Sequence, residues 1–153
     1  MSSIDSSFMS LHAALRDFSV SIQELSDPFL MEEDLTPVQY TALEFIILRE
    51  SVSARALSDF LKVKPAAVSS LITRLEKKNF ISRMEGKADR RMINLSATSE
   101  GQEVYDRIFH RFSTMLDQIY TKLSCDDHMH FERIIRKLNE ETKSELTEKQ
   151  AKA

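Results

Sequence analysis

Apolar residues at steps of three and four predict a helix near the start of the chain. The stripe begins at Phe8 and ends at Leu25, with polar residues on the other faces, as in an amphipathic helix. We expect Pro28 to end this helix, because proline has no N–H to donate and restricts the residue before it.

A second helix follows, and it has a clear start signal. Thr36 is a capping residue, Pro37 suits the first helical position, and Gln39 can complete a capping box with Thr36. Residues 50–52 then form a short linker, which leads to Ser53, another capping residue.

Two short helices joined by a tight turn are predicted next. Residues 53–61 form the first helix, and Pro65 opens the second, which runs to Asn79. Residues 62–64 leave room only for a short turn between them. The second helix is apolar on one side and polar on the other, which is the helix-turn-helix pattern.

The periodicity then changes to that of strands. Residues 80–84 and 92–95 predict two short strands, with the polar loop 85–91 between them. A helix-turn-helix followed by a hairpin is a winged helix. We assign it to residues 36–97, with the wing at 82–95.

Helix resumes after Thr98, which can cap it. An apolar stripe follows from Val104 to Leu123, and Ser124 with Asp127 can cap a last helix that ends near residue 148. Residues 149–153 are polar, and we expect them to fray. The predicted fold is therefore mainly α with a small β wing.

The charge distribution adds a functional expectation. The chain carries a net charge of −3, yet from Lys62 to Arg91 it has nine basic and three acidic residues. That segment is +6, so the remaining residues together carry −9. A basic island in an acidic chain is typical of a protein that meets phosphate with one face. Chance clustering on a solvated surface would give the same pattern.

Several other classes of protein are disfavoured. We find no apolar run of about 18 residues and no signal segment, so we expect a cytoplasmic protein without a membrane partner. Cys125 is the only cysteine, and we expect it to pack rather than to sense redox state. His128 and His130 would point in different directions on a helix, so no metal site is expected. The sequence contains no glycine-rich phosphate loop and no nucleophile elbow, so we expect neither an enzyme nor a cofactor.

Four segments, in their order and spacing, resemble the MarR family of bacterial winged helix-turn-helix regulators. The resemblance implies a DNA-binding transcriptional repressor that binds a pseudo-palindromic operator as a homodimer. Residues 1–30 and 98–148 would then be dimerisation helices, which agrees with apolar stripes too long for one small winged helix to bury. The four segments are 56–61, 68–81, Asp89-Arg90-Arg91 and 95–101.

The chain departs from the family pattern at three positions. Lys62 stands where the turn often has glycine, so the backbone must accept a positive φ at lysine or adjust around it. Asn79 replaces the glycine that usually ends the second helix, a mild change because asparagine tolerates the left-handed conformation. Ser70 replaces a residue that is frequently basic. The wing also looks a few residues short.

Affinity for DNA is expected to come mainly from phosphate contacts, and Arg74 is the preferred one because it matches the family pattern. No long polar side chain lies at the leading end of the second helix, so specificity should depend on DNA shape, with Arg91 in a narrow minor groove. Asp89 would orient Arg90 or Arg74. Lys62 and Lys78 are further phosphate candidates. The other expected contacts are Lys64, Pro65, Ala66, Ala67, Ser69, Ser70, Thr73, Lys77, Lys87 and Arg90.

The resemblance also implies a small organic effector, bound between the dimerisation helices and the winged helix. Phe18, Tyr40 and Phe45 are candidate wall residues for its pocket, and they are equally good core residues. The alternative function is a winged-helix module that binds another protein without specific DNA binding. A strong salt dependence of DNA affinity would favour the regulator.

Overall fold

The computed structural model of the protein describes residues 3–85 and 93–151. Within these ranges the fold is mainly helical with one small antiparallel sheet, as predicted. No helix in this part of the chain is long and apolar enough to cross a membrane. The elements are α1 (Ser3–Glu32), α2 (Pro37–Ile47), β1 (Val52–Ser53), α3 (Ala54–Leu61), α4 (Pro65–Lys77), β2 (Ile81–Glu85), β3 (Ile93–Ala97), α5 (Ser99–Tyr120) and α6 (Cys125–Ala151).

The described chain divides into two compact units within α5, between Phe112 and Ser113. The first unit contains a core formed by α2, α3, α4 and the sheet. Its fully buried side chains include Leu57 of α3, Leu75 of α4 and Leu95 of β3. This core supports the face of α4 that the sequence assigns to DNA.

The first helix is longer than predicted. α1 continues to Glu32, so the expectation that Pro28 ends it is wrong. A proline inside a helix costs about 3 kcal/mol. Burial of Leu30 offsets about 2 kcal/mol of that cost, and Glu32 and Glu33 bind two arginines of α5. Tertiary contacts therefore hold the turn that follows the proline.

The predicted caps of α2 and α3 are confirmed. The Gln39 N–H donates to Thr36 Oγ1 at 3.3 Å, and the Thr36 N–H donates to Gln39 Oε1 at 2.9 Å, which completes the capping box. At α3 the Ala56 N–H donates to Ser53 Oγ at 3.1 Å. These bonds satisfy backbone donors that a helix start leaves without partners.

The first four helices each lead into a left-handed residue that is not glycine. Lys62 has φ 55°, so the turn does accept a positive φ at lysine, and Asn79 has φ 60° as its side chain permits. Asp34 and Glu50 take the same conformation after α1 and α2. α4 itself ends at Lys77, two residues earlier than predicted.

The sheet has three strands in the order β1-β3-β2, all antiparallel. Ile81 pairs with Ala97, and Glu85 pairs with Ile93, so the two predicted strands exist with bounds shifted by one or two residues. β1 was expected to be linker. It pairs Val52 with Leu95 over two residues, too few for any periodicity to indicate a strand.

The helix caps after the sheet are also confirmed. The Gly101 N–H donates to Thr98 Oγ1 at 3.0 Å, and the Asp127 N–H donates to Ser124 Oγ at 3.1 Å. α6 then continues to Ala151, so residues 149–151 are helical where we expected a frayed tail. The end of α6 is rich in good helix formers and has no glycine or proline to end it.

Candidate nucleic-acid interface

The buried stripe of α4 determines which face of the helix is open. Val68, Ile72 and Leu75 are all buried in the core. The opposite face consists of exposed side chains, because a helix can bury only one stripe against a single core. The α4 residues that we predicted to contact DNA are all exposed: Pro65, Ala66, Ala67, Ser69, Ser70, Thr73, Arg74 and Lys77.

The N-terminal end of α4 has no side-chain cap. Lys64 occupies the capping position with extended backbone, and its side chain makes no capping hydrogen bond. A helix start leaves backbone N–H groups without partners, and together with the helix dipole they favour an anion. Here Pro65 has no N–H, and the Ala67 N–H already donates to the Lys64 carbonyl at 2.9 Å. An approaching phosphate would therefore meet chiefly the helix dipole and the Lys64 ammonium.

Two hydroxyl groups on the open face already donate to the helix backbone. Ser69 Oγ donates to the Pro65 carbonyl at 3.0 Å, and Thr73 Oγ1 donates to the Ser69 carbonyl at 3.0 Å. Each hydroxyl has one hydrogen and two lone pairs, so the outward side can accept but not donate. In this arrangement both groups suit amino groups on base edges.

The basic residues of the island divide into two groups. Lys64, Arg74 and Lys77 make no salt bridge with any residue in the described ranges. The Glu76 carboxylate accepts from Arg83 at 2.9 Å. The Arg83 side chain therefore forms an ion pair that joins β2 to α4.

Lys78 departs from its predicted role. We expected it to contact phosphate, but its ammonium donates to the Asp34 carbonyl at 2.5 Å and also pairs with the Asp34 carboxylate. The side chain of Lys78 is only 22% exposed. A cation with two protein acceptors and a packed stem is a poor phosphate contact, and this assignment is corrected.

The C-terminal end of α4 is fastened to the start of α5. Asn79 Nδ2 donates to Glu100 Oε2 at 2.9 Å, and Thr98 Oγ1 donates to the Asn79 carbonyl at 2.5 Å. Gly101 lies so close to the strand that a Cβ there would stand 2.0 Å from the Phe80 carbonyl oxygen. Only glycine permits this approach, so the end of α4 has a fixed position.

Four predicted residues of the wing lie outside the described residues: the cations Lys87, Arg90 and Arg91 and the carboxylate Asp89. Their contacts with DNA, and the orienting role of Asp89, remain predictions.

A cavity of about 320 Å³ lies among α1, α2 and α5 in the first unit. Its mostly apolar wall includes Phe29, Leu30, Tyr40 and Ile108. Burial, reinforced by Glu44 and the neighbouring Tyr105, raises the pKa of Tyr40. Tyr40 is therefore a neutral phenol at physiological pH, in a wall otherwise suited to an apolar molecule.

Only Tyr40 of the three proposed pocket residues lines this cavity. Phe45 follows it by five residues, about 140° farther around the helix, and so faces the core. There it is 5% exposed, and its ring stacks on Phe60 with centroids 3.9 Å apart. Phe18 is 47% exposed and does not contribute to the wall. Phe18 and Phe45 therefore do not line this cavity, and their role in a ligand pocket stays a prediction.

Comparisons with known proteins agree with this geometry. Residues 35–93, which include the helix-turn-helix, match the family model described as the MarR family. Over these residues the chain is similar to the MarR family. Its relatives include proteins named as transcriptional regulators, and its fold is similar to that of solved MarR family structures.

Relatives and solved structures cover most of the chain. The transcriptional repressor MdtR from Bacillus subtilis is 26% identical over 138 residues, which are 90% of this chain and 89% of MdtR. A MarR family protein from Bacillus stearothermophilus has 18% identity and a TM-score of 0.83, covering 91% of this chain and 97% of its own. A MepR mutant from S. aureus, solved bound to an oligodeoxyribonucleotide, has 20% identity and a TM-score of 0.65, with 86% and 97% covered.

Sequence reasoning missed several residues that position the candidate interface. Gly101 carried a signal, since it is one of only two glycines and follows directly on a strand and a cap. No sequence signal indicated Asp34, because its partner Lys78 lies 44 residues away along the chain. The bond between Glu76 and Arg83 joins a helix to a strand, where no helical spacing applies.

Proposed function

We propose that this protein is a dimeric, sequence-specific DNA-binding repressor that binds a pseudo-palindromic operator. The recognition helix (65–79 as predicted) would enter the major groove, and the wing (82–95) would contact the adjacent minor groove. The observation that carries the proposal is the open face of α4, with an uncapped start and with Lys64, Arg74 and Lys77, which make no salt bridge within the described residues. The repressor name of MdtR and the oligodeoxyribonucleotide bound to MepR support it.

Direct base reading would be modest. Pro65, Ala66 and Ala67 suit contact with thymine methyl groups, whereas Ser69 and Thr73 can accept from amino groups. Such short side chains discriminate less than the bidentate pairs that Arg, Asn or Gln make. We therefore assign much of the specificity to DNA shape, read by Arg91 in a narrow minor groove.

A second copy of the chain is the proposed occupant of the exposed apolar stripes. Leu11 and Leu15 on α1 and Ile134 and Leu138 on α6 are each about half exposed. Large apolar side chains at helical spacing are stable in water only when another surface covers them. A symmetric dimer would cover the stripes and place two recognition helices on two operator half-sites.

The proposed effector is a small organic molecule that binds beside Tyr40. The cavity of about 320 Å³ is within the range of small-ligand sites, and its wall is mostly apolar. A ligand that fits it in one arrangement of α1, α2 and α5 better than in another would shift the population of DNA-binding dimers.

Selection from a pool of random DNA duplexes tests the proposal and yields the operator sequence in the same experiment. We expect enrichment of an inverted repeat whose half-site centres lie about 10 base pairs apart. Affinity for the selected duplex should fall steeply with salt, because each neutralised phosphate releases counterions. A dimeric mass in sedimentation should accompany binding. Failure to enrich any sequence would favour the protein-interaction module instead.

The wing can be tested with the same duplex. Replacing the proposed minor-groove residue, Arg91→Ala, should weaken binding by about 1–3 kcal/mol and relax the A·T preference in the flanks. Binding measured on duplexes with A·T or G·C flanks separates the two effects. Equal preference in wild type and variant would show that the wing does not read the flanks.

A further inference from the structure

The corner between α1 and α2 contains three consecutive carboxylates, and each binds a cation on another helix. Glu32 and Glu33 pair with two arginines of α5. Asp34 pairs instead with Lys78, immediately after α4. Asp34 is therefore the member of the triad that contacts the DNA-reading helix.

The backbone of this corner is firmly bonded. The Leu35 N–H donates to the Leu30 carbonyl at 2.8 Å, and the Asp34 N–H donates to the Met31 carbonyl at 3.0 Å. Both leucines are buried in the core, and Asp34 has φ 52°. This is the bonding and the apolar contact of a closed helix end. A group attached to Asp34 is consequently attached to the core.

Lys78 binds both the backbone and the side chain of Asp34. Its ammonium donates to the carbonyl oxygen at 2.5 Å and to the carboxylate. The lysine is 22% exposed, whereas the aspartate carboxyl group is 95% exposed. An exposed ion pair adds little to the free energy of unfolding, so an effect of this one should appear in the position of the end of α4 rather than in stability.

Asp34 also lies beside cations that we assign to DNA. It shares an open groove with Arg74 and Lys77, as well as with its own partner Lys78. A carboxylate in that place repels phosphate, so by charge alone its removal should strengthen DNA binding. If Asp34 instead positions α4, its removal should weaken DNA binding.

We propose that Asp34 is a positioning residue for DNA reading, which acts by holding Lys78 and thereby the C-terminal end of α4. This inference rests on the proposed function and adds to it a residue that does not contact DNA. The side chain sets the angle at which the open face of α4 meets the groove.

The variant Asp34→Asn distinguishes the two expectations, since repulsion alone predicts stronger DNA binding and a positioning role predicts weaker binding. It removes the charge and keeps the shape, and asparagine tolerates the left-handed backbone at least as well. The matched control is Asp59→Asn, an exposed carboxylate on α3 that has no salt bridge within the described residues. Affinities are measured by fluorescence anisotropy on the duplex that selection yields.

We expect Asp34→Asn to weaken binding by about twofold to fivefold, the range that an exposed ion pair supports. Asp59→Asn should bind as tightly as wild type or slightly more tightly. The slope of log affinity against log salt should not change, because no phosphate contact is gained or lost. Urea midpoints near that of wild type would show that the fold is intact.

Lys78→Gln gives the reciprocal measurement. It should weaken binding, and adding Asp34→Asn to it should cause no further loss, because the two side chains act as one unit. Equal or tighter binding by Asp34→Asn would overturn the inference, and a steeper salt slope would mean that Lys78 had been released to phosphate. If wild type selects no duplex, the proposed function itself fails. If wild type selects one and Asp34→Asn binds it equally well, only the positioning role fails.

Discussion

The two ends of α4 are held in opposite ways. At the N-terminal end no side chain caps the helix, and the Lys64 side chain is exposed. At the C-terminal end Asn79 binds Glu100, and Lys78 binds Asp34. Groups that already have protein partners gain little free energy from binding DNA, whereas an exposed cation without a salt bridge gains more. One end of the helix is therefore suited to reading, and the other determines where the reading end lies.

The largest effect is expected for Gly101→Ala, at the fixed end of α4. Alanine would ordinarily stabilise a helix, but here its Cβ would stand 2.0 Å from the Phe80 carbonyl oxygen, which is backbone and cannot rotate away. We expect a loss of about 2–3 kcal/mol in the free energy of unfolding, measured in urea. Glu103→Ala, on the exposed side of α5, is the control and should change stability by under about 0.5 kcal/mol. A stabilising Gly101→Ala would mean that this end is not close-packed.

The open face of α4, which extends to Arg74 in the last turn of the helix, is tested by Arg74→Ala. Its guanidinium is exposed and has no salt bridge within residues 3–85 and 93–151, so no carboxylate in those ranges competes with phosphate for it. We expect about 1–3 kcal/mol weaker binding and a salt slope lower by about 1, with unchanged stability. Arg133→Ala on α6 is the matched control. Wild-type affinity in Arg74→Ala would show that the reading surface is misassigned.

The smallest effect is expected at the corner between α1 and α2, which contacts the C-terminal end of α4 through Lys78. The hydrogen bond from Arg107 lowers the pKa of Glu33, with burial acting in the other direction. A carboxyl group with a lowered pKa in the folded state stabilises it above the ordinary glutamate pKa, near 4.5, and loses that contribution as pH falls through the lowered value.

Glu33→Gln should therefore lower stability by under about 1 kcal/mol at pH 7. The difference from wild type should shrink as the pH falls below about 4. Thermal unfolding of both proteins between pH 3 and pH 7 measures it. A difference that stays constant over this range would mean that the ion pair is not its source.

The features that sequence could predict were those with local causes. The capping box needs only Thr36 and Gln39, three residues apart, and it formed as expected. The buried stripe of α4 follows from helical periodicity within one element. With the resemblance to the MarR family, these signals were sufficient for the fold and for the open face of α4.

The features that sequence could not predict depend on contacts between distant elements. Pro28 indicates a helix end until the burial of Leu30 is known. Tyr40 and Phe45 are similar aromatic residues, and only the packing of α2 decides that one faces a cavity and the other the core. The pairing of Asp34 with Lys78 exists only once two helix ends meet.

The left-handed residues after the first four helices have a consequence for chain stiffness. A non-glycine residue at positive φ carries a local strain of about 1 kcal/mol, which the surrounding structure must outweigh. Glycine would relieve the strain, but it would also give the unfolded chain more conformations to lose on folding. With Asp34, Glu50, Lys62 and Asn79 at these joints, the links between helices resist bending. Because residues other than glycine occupy these positions, the chain changes direction there without a flexible hinge.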